Sequence, residues 1–221
     1  MTQPSKVALI VVDIQYDFLE TGTLPVPHAS DVIPKAQQLI SFIESMHGLV
    51  VATQDWHPKN HKSFASNHAG KQVFDTVDLT YQDQSSTQVL WPDHCIQDTP
   101  GANLVAEISS IPLVVQKGTN PEIDSYSGFA DNQYHAFTAL SKHLHQHDIQ
   151  TVVICGLATD YCVKMTCLDA VKFGFRTLLI QDATKPVVAE DFDGALATLR
   201  SRGVHIVPTT DDFVSHSDHY L

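Results

Sequence analysis

This chain predicts a three-layer α/β/α fold in which a mostly parallel six-stranded sheet lies between two layers of helix. Three observations carry the prediction. The runs Val7-Ala8-Leu9-Ile10-Val11-Val12 and Thr151-Val152-Val153-Ile154-Cys155 are apolar on both faces, as strands in the middle of a parallel sheet must be. Strand-like and helix-like segments alternate along the chain with short connections. Polar or reactive residues follow the strands at their C-terminal ends, where open parallel sheets carry their ligand crevice.

The first strand ends at Asp13. A helix from about Asp31 to His47 sets Val32, Ala36, Leu39, Ile40, Ile43 and Met46 on one face and stops at Gly48, a favourable residue just past a helix. The second strand runs from Leu49 to about Gln54. From Asp55 to Pro100 no long periodicity remains, and the abundance of His, Asp, Ser and Gln reads as an extended loop with a short strand near Thr87 to Leu90. Loops of that length are usually functional. Gly101 to Ile108 reads as a short helix, and Ile111 to Gln116 as a third strand that delivers Lys117. Beyond the loop through Tyr126-Ser127-Gly128-Phe129, a helix runs from about Asn132 to Gln146 with Phe137, Leu140 and Leu144 inward. The strand at Thr151 is followed by a tight turn at Gly156 and a helix from Asp160, where Asp160 or Thr159 supplies the N-cap. A strand from Arg176 to Gln181, a helix from Glu190 to Arg202 closed by Gly203, and a strand from Val204 to Pro208 complete the order.

The 221 residues fit one domain, 1–221, large enough to bury a core without staples. A formal net charge of -12 with only 13 Lys+Arg argues against nucleic acid and anionic membrane surfaces, which both require basic patches. The expected partner is a small molecule. Cys95, Cys155, Cys162 and Cys167 form no CxxC pair, and the first strand begins too early to leave room for a signal peptide. Reduced thiols in a cytoplasmic protein are the expectation. His143, His145 and His147 sit in a polar helix end and read as solvated.

Cys162, where an apolar strand turns into a helix, is the candidate nucleophile. A sulfur in the first turn feels the positive end of the helix dipole and free N–H groups, which favour thiolate and offer a cradle for an oxyanion. A packed core thiol fits the local sequence as well. Asp13, Asp55, Lys117 and Cys162 all fall at the crevice edge of the sheet, and this convergence is harder to explain by packing than any one of them. Asp55 and His57 lie two apart where alternate side chains share a side, His61 returns four residues later, and His94 lies in Trp91-Pro92-Asp93-His94-Cys95. One carboxylate and three imidazoles suit Zn²⁺, or Fe²⁺ or Mn²⁺ if waters complete an octahedron; solvated loop histidines are the alternative.

The chain resembles the nicotinamidases, often also pyrazinamidases, of the isochorismatase-like cysteine hydrolases, from Val7 to about Pro208. The resemblance rests on Val11-Val12-Asp13-Ile14-Gln15-Tyr16-Asp17-Phe18, Asp55-Trp56-His57-Pro58 with His61, Trp91-Pro92-Asp93-His94-Cys95, Gln116-Lys117-Gly118 and Gly156-Leu157-Ala158-Thr159-Asp160-Tyr161-Cys162-Val163. It implies hydrolysis of nicotinamide to nicotinate and ammonia in pyridine nucleotide salvage, with Asp13, Lys117 and Cys162 as a catalytic triad. It also implies one divalent ion, zinc before iron or manganese, among Asp55, His57, His61 and His94. A cis Leu157–Ala158 peptide would bring the Ala158 and Cys162 amides together as an oxyanion hole, and Phe18, Trp91 and Tyr161 would enclose the pyridine ring. A homo-oligomer is plausible on the same ground. Another small amide as substrate, or a metal-dependent amidase in which Cys162 is a bystander, are the competing readings. Neither Asp124 nor Tyr126 receives a role, and Cys95 reads as a packed thiol.

Overall fold

A computed structural model describes residues 6–221. Its elements are β1 (Val7–Val12), α1 (Val32–Ser45), β2 (Leu49–Asp55), β3 (Thr76–Tyr81), β4 (Gln84–Val89), β5 (Val114–Lys117), α2 (Leu140–Gln146), β6 (Thr151–Leu157), α3 (Lys164–Lys172), β7 (Arg176–Lys185), α4 (Phe192–Ser201), β8 (His205–Val207), α5 (Thr210–Ser215) and α6 (Ser217–Tyr220). Six strands form one sheet in the order β5-β2-β1-β6-β7-β8, and every neighbouring pair is parallel. The chain winds outward from β1 through β2 to β5, then returns to β6 on the other side of β1. That reversal places the crevice beyond the ends of β1 and β6.

Alternation along the central strands builds two cores. Leu9 and Val11 of β1 join the α1 residues Val32, Ala36, Leu39 and Ile43 and Phe213 of α5 on one face. Ala8, Ile10 and Val12 join Leu140 and Leu144 of α2, Cys167 and Ala170 of α3, and Leu196 and Leu199 of α4 on the other. Burial on both sides explains why β1 and the start of β6 read as unbroken apolar runs. Among the described residues no helix is long and apolar enough to cross a membrane.

Several elements differ from their expected form. The helix expected from Asn132 is shorter and starts at Leu140, because the Asp131 carboxylate accepts the amides of Gln133, His135 and Ala136 and holds that stretch as a turn. Phe137, expected inward, is 59% exposed, whereas Leu140 and Leu144 are buried. Gly101 to Ile108 is not one helix but two separate 3-10 turns, Pro100–Ala102 and Ala106–Ile108. The strand near Thr87 is one arm of an antiparallel β3–β4 hairpin whose polar, half-exposed residues concealed it. At the end of α1 the left-handed turn falls on His47, with φ of 58°, and not on Gly48. β7 runs on to Lys185 past a bulge opposite Ile154 and Gly156, and α5, capped by Thr209, was not foreseen.

Gly156 is fixed by its neighbours. It has φ of 115°, and a Cβ there would stand 2.0 Å from the Val12 carbonyl oxygen. Only glycine lets β6 pass β1 so closely just before the turn to Cys162. Gly156→Ala is expected to cost at least about 3 kcal/mol, from a strained φ plus a backbone clash, measured as a lowered urea midpoint and reduced soluble yield.

Candidate active site

The four strand ends that the sequence singled out meet in one place. Asp13 follows β1 with φ of 48°. Asp55 ends β2 and Lys117 ends β5, and the two are register partners. Cys162 lies in a wide π-type turn, Thr159–Val163, that precedes α3. The expected N-cap is absent: the Asp160 carboxylate instead accepts the amides of Val187 and Val188, and Thr159 bonds Thr184. These contacts anchor the turn to the end of β7.

Lys117 is the hub. Its Nζ lies 2.9 Å from Asp13 Oδ2, 2.5 Å from Asp55 Oδ1 and 3.4 Å from Cys162 Sγ, and donates to the Ser125 carbonyl at 2.9 Å. Thr53 donates to Asp13 Oδ1 at 2.6 Å, and the sulfur and carboxylate oxygens of Asp13 and Asp55 all lie within 4.8 Å of one another. Asp13 is wholly buried and Lys117 2% exposed, so water screens little of this.

Burial and the Asp55 charge, opposed by Lys117, raise the Asp13 carboxyl to about 6. For Asp55, burial works against the charge but Lys117 and then His57 reverse it, holding that carboxyl well below the usual range. Burial would lower Lys117, and the carboxylates of Asp13 and Asp55 overturn it, so the ammonium is firmly charged. Burial pushes the Cys162 thiol well up; Lys117 opposes this and the two carboxylates add to it. Burial and the two carboxylates thus work against the thiolate that a helix start favours, and Lys117 works for it.

The imidazoles form a second cluster against the same Asp55. His57 and His61 ring centroids are 4.4 Å apart and His57 and His94 5.1 Å. His57 Nδ1 is held by the Gly118 carbonyl at 2.8 Å and His94 Nδ1 by the Pro92 carbonyl at 2.7 Å, which frees each Nε2. Gly118 is needed for this approach, since a Cβ there would lie 2.3 Å from His57 Cε1. His61 bonds Ser63 Oγ through Nδ1 at 2.7 Å, and its Nε2 is buried with no partner. Burial lowers both His61 and His94 to about 4, leaving neutral rings. At His57 burial is outweighed by the Asp55 carboxylate, which shifts the ring upward; tethered Nδ1 atoms, a facing carboxylate and an orphaned inner nitrogen fit a divalent ion. Asp55, His57 and His94 form one ligand-sized group; His61 joins a second, made with His57 and Asp124.

One pocket is lined by Cys162 together with Asp55, His57 and His94. Phe18, Trp91 and Tyr161 line it as expected, with Trp91 and Tyr161 edge to face at 4.8 Å. Asp124 and Tyr126, given no role from the sequence, line it too. Tyr126 packs against Tyr161 at 5.5 Å and its hydroxyl accepts from Trp91 Nε1 and Gln88 Nε2. Their loop carried no periodicity, and their closeness to Lys117 in sequence was the one available signal. Thr53 was missed because a threonine within a strand looks like any other. The Leu157–Ala158 peptide is cis, and the Ala158 amide finds no acceptor among the described residues.

A parallel sheet with helices on both faces carries a buried carboxylate, ammonium and thiol at its strand ends, beside an aromatic pocket, an arrangement that suits a hydrolase. Residues 7–211 match the family model described as the isochorismatase domain, and the chain belongs to the isochorismatase family. It is similar to the nicotinamidase of Acinetobacter baylyi, 44% identical over 198 residues, covering 89% of this chain and 87% of that protein. Among solved structures it is similar to an Acinetobacter baumanii nicotinamidase and pyrazinamidase at 43% identity and TM-score 0.87, over 96% of this chain and 100% of that one. It is also similar to a Pyrococcus horikoshii pyrazinamidase in complex with zinc, at 39% identity and TM-score 0.76, over 92% and 99% of the two chains.

Lys117→Met leaves Asp13 and Asp55 buried without their cation, and a loss of about 3–5 kcal/mol in urea unfolding at pH 7 is expected. Both carboxyls then have folded pKa values above their unfolded ones. The variant therefore recovers stability relative to wild type as pH falls towards 4 and the folded state takes up protons.

Proposed function

We propose that the protein is a nicotinamidase that hydrolyses nicotinamide to nicotinate and ammonia, with pyrazinamide as a further substrate, in the salvage of pyridine nucleotides. The observation that carries this is a single pocket lined by Cys162, by the imidazoles of His57 and His94, and by the aromatic rings of Trp91, Tyr126 and Tyr161. A flat ring between aromatic walls, with its amide towards sulfur and its ring nitrogen towards the imidazoles, is the ligand such a pocket accepts. When bound, a divalent ion supplies a Lewis acid that fixes the pyridine nitrogen; zinc, iron and manganese all suit the donors.

Asp13 takes the proton of Cys162, and the thiolate attacks the carboxamide carbon. Lys117, 3.4 Å from the sulfur, stabilises the thiolate as it forms. The amides of Ala158 and Cys162 hold the tetrahedral oxyanion. Protonated Asp13 passes its proton to the amide nitrogen, the C–N bond breaks and ammonia leaves a thioester. Asp13 then takes a proton from water, the hydroxide attacks the thioester carbon, the C–S bond breaks, and the proton on Asp13 returns to sulfur. Thr53 and Lys117 keep the Asp13 carboxylate aimed at the sulfur throughout.

Ammonia release from nicotinamide tests the reading directly. Cys162→Ala is expected to lose activity by roughly 10³-fold or more while keeping its metal content; substantial turnover in that variant would instead make a metal-bound water the nucleophile. Asp13 must be ionised to accept a proton, so kcat/KM is expected to rise with pH through about 6. Asp13→Asn removes that rise and lowers kcat by roughly 10²–10⁴-fold.

A further inference from the structure

We propose that Asp124 is the second carboxylate of the metal site, holding the same divalent ion as His57 and His61. The inference deepens the reading above and rests on its divalent ion. One oxygen of Asp124 and one ring nitrogen each of His57 and His61 lie within 4.8 Å of one another, and all three residues are buried. Independently, His61 Nε2 is buried in that group with no hydrogen-bond partner, which a nitrogen pointing at a cation explains.

The Asp124 carboxylate is held but not neutralised. Its Oδ1 accepts the Ser125 amide at 2.8 Å and its Oδ2 accepts Gln88 Nε2 at 3.2 Å. Two neutral donors leave lone pairs to spare on a carboxylate. Among the described residues no lysine or arginine forms an ion pair with it, although Asp124 is only 4% exposed. An isolated carboxylate is costly to bury, so a cation is the missing partner.

Formal charge leads to the same place. Lys117 is shared by Asp13 and Asp55, which leaves one surplus negative charge in the buried cluster. Asp124 adds a second, and a divalent ion cancels both. Gln88 then acquires a purpose: it brings the β3–β4 hairpin onto the site, bonding Asp124 and the Tyr126 hydroxyl with one amide group.

The test is zinc affinity. Full-length protein, stripped of metal and checked for fold by circular dichroism, is titrated with Zn²⁺ in competition with a chromophoric chelator, as wild type, Asp124→Asn and Asp124→Ser. Weakening by 10- to 100-fold in the folded variants supports the assignment, because Asn still accepts from Ser125 but brings no charge. Wild-type affinity in a folded variant overturns it. Loss of fold in both metal-free variants overturns it as well, since Asp124 would then be structural. Wild type that takes up no zinc, iron or manganese overturns the divalent-ion reading itself, an outcome distinct from equal affinity in wild type and variant.

Discussion

The ammonium of Lys117, sealed from water between the carboxylates of Asp13 and Asp55, is the constraint on which the rest depends. Three strands with separate sequences must end level with one another for those groups to meet. Parallel pairing of β1 with β2 and of β2 with β5 provides that alignment. Pairing of β1 with β6 brings the turn containing Cys162 to the same level. A buried charge left unpartnered costs several kcal/mol, so sheet register and active-site geometry are enforced by one interaction.

Around that centre the chain divides its labour by element type. Strand ends hold Asp13, Asp55 and Lys117, and the segments on either side of the β3–β4 hairpin supply the imidazoles. The β3–β4 hairpin and the loop beyond β5 close the pocket through the Gln88, Trp91 and Tyr126 hydrogen bonds. These charged groups thus sit at the buried ends of the sheet. The parts that shape the ligand are carried on connections, where sequence change is tolerated more readily.

The sheet is legible in the sequence because β1 and β6 are buried on both faces, and that burial leaves an unbroken apolar run. Asp13, Asp55, Lys117 and Cys162 are legible because each follows such a strand. Less legible is anything decided by side-chain hydrogen bonding. Asp131 unwinds a segment that otherwise has helical spacing, and Asp160 leaves its helix to bind the β7 connection. The balance at Cys162 is hidden for a related reason: a helix-start argument counts nearby dipoles, whereas depth of burial and two facing carboxylates are tertiary facts. Asp124 and Tyr126 share this character, since only folding turns their loop onto the pocket.

Asp55 faces two neighbourhoods, with Oδ1 on Lys117 and Oδ2 3.7 Å from His57 Nε2. Whatever draws on this carboxylate from the imidazole side loosens its hold on the ammonium, and thermodynamic reciprocity makes the influence run equally in reverse. The cysteine side and the imidazole side of the pocket are therefore joined through a single side chain. A substitution at either cluster is thus felt at the other, so neither can drift alone.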